Sequence, residues 1–287
     1  MKLRIYIVTV LMAAAFAAAR GQVVDLHIDT LNVETSNMLN PDSIRAELDR
    51  GPYFTLYKDN YFIVGTDPTH KPTSRNSDVK FQVSIAQRLT KSTLPFNTYL
   101  YLYYTQKVFW DVFRESLPIH DLNFNPGIGL ARHIIVKNKV IGKVMLQIEH
   151  ESNGRDGEES RSWNKISLGG NIFLDPHLMI FGKFWIPIVD GQNNKDILDY
   201  SGIFTTGVAM RTIDGRFGGA VILTKRRGWN LNYNTTIEFN WRLSKRSNQY
   251  LFIQYYNGYG ECMLDYNKFH SRLRIGMCIK PRFFSDY

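Results

Sequence analysis

The chain has 287 residues, a formal net charge of +9, 44% hydrophobic and 14% aromatic residues, and two cysteines. After the first 22 residues there is no run of about 18 apolar residues, so a transmembrane helix is excluded. The lone thiols Cys262 and Cys278 have no metal-ligand spacing, although a disulfide between them would suit an oxidising compartment.

In chain order, Lys2 and Arg4 precede an apolar core at 5–12 and an alanine-rich stretch ending at Gly21. Residues 1–21 therefore read as a secretory signal peptide, with the mature chain starting between Arg20 and Gln22. Residues 22–50 form an N-terminal periplasmic segment, in which 42–47 is predicted as a short capped helix. Residues 51–287 are predicted as one domain. Within it twelve segments alternate with period two: 54–65, 77–89, 97–110, 125–136, 140–150, 161–174, 177–187, 200–211, 214–225, 230–243, 247–258 and 269–282. Tight turns at 137–139, 175–176 and 244–246 alternate with long loops at 66–76, 111–124, 151–160, 188–199 and 259–268. Export, aromatic-rich alternation and an even strand count predict an all-β fold, a twelve-stranded antiparallel transmembrane β-barrel of the outer membrane. Its short turns would be periplasmic and its long loops external. The competing architecture is a secreted β-sandwich.

Side chains alternate across a strand, so parity assigns the face. In 140–150 the even residues Val140, Gly142, Val144, Leu146 and Ile148 are apolar, and the odd ones include Lys143, Gln147 and Glu149. A barrel with a polar interior therefore turns the even set to lipid, and His150 belongs to that set. Ser152 joins it if the strand runs on. Segment 161–174 has Ile166, Leu168, Ile172 and Leu174 on its even face, which puts Asn164 towards lipid as well. Gln106 breaks the apolar stripe of 97–110 in the same way. It is either an interfacial amide near the headgroups or a contact for self-association.

A serine becomes a nucleophile when a histidine takes its proton and a third group orients the imidazole. Here His150 is the candidate base, Ser152 the nucleophile and Asn164 the orienter. Backbone N–H groups around Ser152 and Gly154 are candidates for an oxyanion hole. Taken singly, a girdle histidine and serine would look the same; three polar residues breaking one face of one hairpin favour the catalytic reading. Asp156, Glu158, Glu159 and Ser160 supply oxygens that suit Ca²⁺, or form a merely solvated acidic loop. The other histidines have no ligand spacing. Lys225-Arg226-Arg227 fits lipopolysaccharide phosphates better than nucleic acid, which an exported barrel rarely meets.

The run His150-Glu151-Ser152-Asn153-Gly154-Arg155 followed by Ser160-Arg161-Ser162-Trp163-Asn164 resembles the signature of the outer membrane phospholipase A family, calcium-dependent dimeric barrels of Gram-negative bacteria. Phe54-Thr55-Leu56-Tyr57, Val79-Lys80-Phe81-Gln82, Tyr104-Thr105-Gln106-Lys107 and Gly258-Tyr259-Gly260-Glu261 extend the likeness across 54–282. The resemblance implies a His150, Ser152, Asn164 triad, with calcium held by the Arg155 carbonyl and the Ser160 hydroxyl. It also implies a contribution from Ser116 of a partner subunit, and Gln106 at the dimer interface. Gly157 departs from the family pattern, which has aspartate there. The implied activity is hydrolysis of acyl esters of glycerophospholipids, of phospholipase A1/A2 and lysophospholipase type, in the outer leaflet, with Ca²⁺ helping to stabilise the oxyanion and dimerisation governing turnover. Alternatives are a non-enzymatic porin or adhesin barrel, and a lipid A deacylase or acyltransferase barrel.

Overall fold

The structure, a computed structural model, describes residues 41–189, 191–244 and 247–281. The predicted signal peptide and residues 22–40 lie outside the described residues. Strands β1 (Phe54–Leu56), β2 (Asn60–Thr66), β3 (Ser77–Arg88), β4 (Tyr99–Trp110), β5 (Ile119–Val136), β6 (Lys139–Ser152) and β7 (Ser162–Asp175) make up the first half of one sheet. The second half is β8 (Leu178–Ile188), β9 (Phe204–Arg211), β10 (Phe217–Lys225), β11 (Tyr233–Arg242), β12 (Gln249–Gly258) and β13 (His270–Ile279). From β2 onward each strand pairs antiparallel with the next, β13 pairs back onto β2, and β1 extends the pairing of β2 along β3, so the sheet closes into a twelve-stranded barrel. Closure leaves no edge whose backbone groups would face lipid unpaired.

The segment predicted as one strand at 54–65 is broken into β1 and β2, which pair with opposite ends of β3. At the break Asn60 replaces the backbone ladder: its Nδ2 donates to Ser84 O at 3.1 Å and its Oδ1 accepts from Ser84 N at 2.5 Å. The strand predicted from residue 200 begins at Phe204, because Ile197–Ser201 form a short helix, α2. Gly202 ends that helix at φ 90, where a Cβ would stand 2.6 Å from Lys225 O. The β5–β6 hairpin turns through Lys137 (φ 46) and Asn138 (φ 60), a two-residue turn of the kind that matches strand twist.

Burial follows the predicted parity. On β6 Val144, Leu146 and Ile148 are exposed to the outside, while Met145, Gln147 and Glu149 are buried within the barrel. Val140 is an exception. A β-bulge beside the Ile134–Gly142 pair shifts the register, and Val140 packs inward with Ile135 against the helix α1 (Pro41–Arg50). This helix, wider than the predicted 42–47, seats Ile44 and Leu48 against Tyr99 at the turn end. Arg88 donates to the carbonyls of Leu48 (2.6 Å), Asp49 (2.9 Å) and Gly51 (2.7 Å), satisfying the acceptors that end the helix.

The lumen is filled by paired charges. Arg274 holds Asp78 through two bonds of 2.6 and 2.7 Å and Glu261 through two of 2.6 and 3.3 Å, while Lys80 donates to Glu261 at 3.1 Å and Gln254 at 2.9 Å. Cys262 and Cys278 are both free and buried, Cys262 in the 259–269 loop and Cys278 near the turn end of β13, so the possible disulfide is not formed. Arg274→Ala would leave Glu261 to Lys80 alone and Asp78 to Arg272 at 3.7 Å, and an expected loss of up to about 3–5 kcal/mol is measurable by urea unfolding followed by tryptophan fluorescence. Arg274→Lys, which keeps the charge but not the fork, should lose less.

Candidate active site

The β6–β7 hairpin builds the site. Strand β6 does run on to Ser152, so His150 and Ser152 share the outer face, and the register sets His150 opposite Asn164 and Ser152 opposite Ser162. His150 O accepts from Asn125 Nδ2 at 2.8 Å, which points its backbone groups at β5. Pro126 stands in line with His150 on β5 and has no N–H to offer, so the Asn125 amide takes its place. With its backbone turned to β5, His150 meets Asn164 as a non-hydrogen-bonded pair, the kind in which opposite side chains approach most closely.

The imidazole uses that proximity. His150 Nδ1 lies 2.8 Å from Asn164 Oδ1. An amide oxygen only accepts, so Nδ1 carries the proton, and in the neutral ring the lone pair is on Nε2. No hydrogen bond joins the Ser152 hydroxyl to His150 among the described residues. The structure thus brings His150 and Asn164 into contact and leaves Ser152 beside them on the same face.

Behind the site, the inner face of β6 is fixed by ion pairs. Glu149 pairs with Lys183 at 2.7 Å and Glu151 with Lys165 at 2.8 Å, and Trp163 Nε1 donates to Glu151 at 3.1 Å. These charges line a luminal cavity of about 270 Å³. His150 therefore sits on a strand whose inward-facing neighbours on both sides are held.

Beyond Ser152 the chain folds around Asn153. Its Oδ1 accepts from Arg161 N at 2.9 Å and Arg155 N at 3.4 Å, and its Nδ2 donates to Glu159 O at 2.8 Å. Gly154 is at φ 64, and a Cβ there would stand 2.8 Å from Phe124 Cε2. Phe124 shares a lateral row with Gln106, Ser152 and Ser162 across β4 to β7, so the predicted interface residue lies beside the site. Gln106 is half-buried and accepts from Tyr104 Oη at 3.2 Å.

Arg155 turns its guanidinium away, donating to His120 O at 2.6 Å and pairing with Glu159. Among the described residues neither the Arg155 carbonyl nor the Ser160 hydroxyl makes a hydrogen bond, and the Asp156 and Glu158 carboxylates are exposed. This all-oxygen set fits a hard cation. Gly157 contributes no carboxylate; its carbonyl accepts from Asn193 Nδ2 at 2.8 Å. Ser116, at φ 63, is exposed on the 111–118 loop and touches none of these groups.

Strand β5 starts six residues before its predicted limit, because its first inward side chains bind a loop that sequence could not bring to them. Met263 N donates to Asn123 Oδ1 at 3.1 Å and Leu264 N to Asp121 Oδ2 at 2.9 Å, drawing the 259–269 loop across the barrel mouth. The same loop packs Met263 and Tyr266 against Trp163 and Trp185. Of the basic run, Lys225 is folded inward onto the Arg226 and Gly228 carbonyls, leaving Arg226 and Arg227 in the loop beyond β10.

A closed barrel whose outer wall carries an imidazole–amide pair is a membrane protein equipped for chemistry on lipid. The family model for phospholipase A1 matches residues 52–279, and the chain belongs to that family. It is 29% identical over 221 residues to phospholipase A1 of Escherichia coli K12, spanning 73% of this chain and 72% of that one. It is 29% identical over 300 residues to phospholipase A1 of Proteus vulgaris, spanning 95% and 98%. Similar solved structures are outer membrane phospholipase A from E. coli (TM-score 0.70, 25% identity, 80% of this chain and 99% of that one) and the Salmonella typhi outer membrane phospholipase dimer with bound calcium (TM-score 0.69, 25% identity, 79% and 92%). The protein is an outer-membrane phospholipase, a hydrolase of lipid esters.

Two outcomes are expected from this geometry. Gly154→Ala should reduce lipid hydrolysis while the barrel still folds, through about 1–3 kcal/mol of backbone strain plus the clash with Phe124; adding Phe124→Ala should relieve only the clash, read as partial recovery of rate. The second concerns the mouth loop, where a hydrogen bond from His120 and the neighbouring Lys268 hold the Asp265 carboxyl well below the usual carboxylate range. A depressed folded pKa stabilises docking above the unfolded value and loses it as pH falls, so the hydrogen-exchange protection of 259–269, corrected for the intrinsic rate at each pH, should fall below about pH 4. Protection that is unchanged from pH 7 to 3 would contradict this.

Proposed function

We propose that the chain hydrolyses acyl esters of glycerophospholipids, of phospholipase A1/A2 and lysophospholipase type, with Ser152 as nucleophile, His150 as base and Asn164 as orienter. The observation that carries the reading is the 2.8 Å contact between His150 Nδ1 and Asn164 Oδ1 on the lipid-facing wall of a phospholipase A1 family member. With Nδ1–H committed to Asn164, Nε2 is the nitrogen that receives the Ser152 proton as the hydroxyl attacks the ester carbonyl. His150 then returns the proton to the leaving alcohol, and water releases the acyl group from Ser152 by the reverse sequence. The Ser152–His150 hydrogen bond forms as lipid fills the site, since catalytic contacts often tighten only in the substrate complex. Asparagine holds the imidazole without burying a carboxylate against lipid. N–H groups at and around Gly154 face the developing oxyanion.

Calcium is part of this proposal, with the Arg155 carbonyl and Ser160 hydroxyl as its ligands on this chain and Ser116 supplied by a second copy. Bound there, the ion supplies positive charge beside the oxyanion. The solved Salmonella typhi relative is a dimer with bound calcium, which supports both features. Gln106, in the lateral row of Ser152, is assigned to the dimer contact. The long-loop end is assigned to the cell exterior, so that His150 meets the outer leaflet.

The test is hydrolysis of phosphatidylcholine by the full-length mature protein in detergent, with Ca²⁺ or chelator. Ser152→Ala should lose about 10³- to 10⁶-fold in rate with unchanged gel mobility and circular dichroism. Chelator should suppress the wild type. Substantial hydrolysis by folded Ser152→Ala removes the mechanism, while fatty acid release only from lipid A favours the deacylase alternative.

A further inference from the structure

The wall that carries His150 also carries, at its other end, an arginine that the chemistry at His150 does not use. Arg132 lies on the outer face of β5, between the outward-facing Leu130 and Ile134, and is exposed. Among the described residues it makes no hydrogen bond or ion pair. A guanidinium on a lipid-facing wall is costly unless an anion meets it, and Arg132 is near the Lys137-Asn138 turn, where headgroups are within reach. A groove of about 570 Å³ opens there between α1, the 89–98 turn and the wall. Arg45 of α1 lines it, with one guanidinium nitrogen bound to the exposed Asp42 at 2.6 Å. Phe96, 77% exposed, stands at its rim.

The register shows what lies above the arginines. Arg132 is opposite Val144, the next outward pair is Leu130 and Leu146, and the next is Ile128 and Ile148. Beyond Val136 and Ile134 next to the turn, the wall passes from Arg132 to a ladder of exposed aliphatic side chains. That is the order of a phospholipid: phosphate first, acyl chains after.

We infer that this groove binds one anionic phospholipid from the leaflet at the turn end, its phosphate between Arg45 and Arg132 and its acyl chains along Leu130, Val144 and Leu146. Guanidinium groups suit the phosphate through paired hydrogen bonds. The ester bonds of this lipid stay near its phosphate, roughly 20 Å along β6 from His150 at about 3.4 Å per residue. The lipid is therefore held and not hydrolysed, and it ties α1 to the barrel wall. The inference is independent of the mechanism at His150.

The test is native mass spectrometry of the full-length mature protein, released from detergent after equilibration with a diether phosphatidylglycerol that no esterase can cleave. Wild type and Ser152→Ala should retain one lipid equally. Arg132→Gln should weaken retention by about tenfold or more, a loss of about 1.4 kcal/mol, and Arg132→Lys should retain an intermediate amount. A dialkylglycerol without phosphate should not be retained, and millimolar inorganic phosphate should not displace the lipid. Equal retention by Arg132→Gln, retention of the dialkylglycerol, or displacement by free phosphate would overturn the inference. If Arg132→Gln does not fold, Arg132→Lys and the two probe comparisons on wild type decide it.

Discussion

A strand in a closed barrel has two faces and no third option. Its backbone is consumed by its neighbours, so every side chain points either at lipid or into the lumen, and a one-residue slip would exchange the two sets. In this chain the lumen takes the charges and pairs them, as in Glu149 with Lys183 and Arg274 with Asp78 and Glu261. The outer wall takes the aliphatic side chains. A polar residue outside therefore stands out, and His150 and Asn164 meet there because the strand pairing leaves them opposite each other.

The two faces of β6 are coupled by that same alternation. Glu149 and Glu151 are the chain neighbours of His150 and point inward to lysines on β7 and β8. Buried ion pairs of this kind contribute little net stability against an apolar core, but they resist any register in which a carboxylate would face lipid. The lumen thereby fixes the strand on which the outer site depends. Asn125 does similar service from β5, closing the gap in the ladder beside Pro126.

Much of this was legible in the sequence because membrane strands advertise their faces by period-two alternation. The twelve-strand closure and the outward set on β6 and β7 follow from it, while the strand expected to end at residue 150 runs on to Ser152. The misses have a common cause in contacts between residues distant in the chain. Asn60 bonding to Ser84 splits the first strand, and Asp121 and Asn123 lengthen β5 only because the 259–269 loop folds onto them. The bulge that turns Val140 inward follows from helix α1 filling the turn end, which alternation alone does not encode. Phe124 against Gly154 is likewise a pairing that only the register reveals.

Everything proposed for the hydrolytic site on the outer wall turns on Ser152, activated by His150, as the lipid-facing nucleophile. The most direct measurement is covalent labelling of the full-length protein with a long-chain alkyl sulfonyl fluoride, followed by peptide mass spectrometry. One adduct is expected, on Ser152, formed with loss of hydrolysis and absent in His150→Ala. Inactivation with Ser152 unmodified, or an adduct on Ser160 or Ser162 instead, would contradict it.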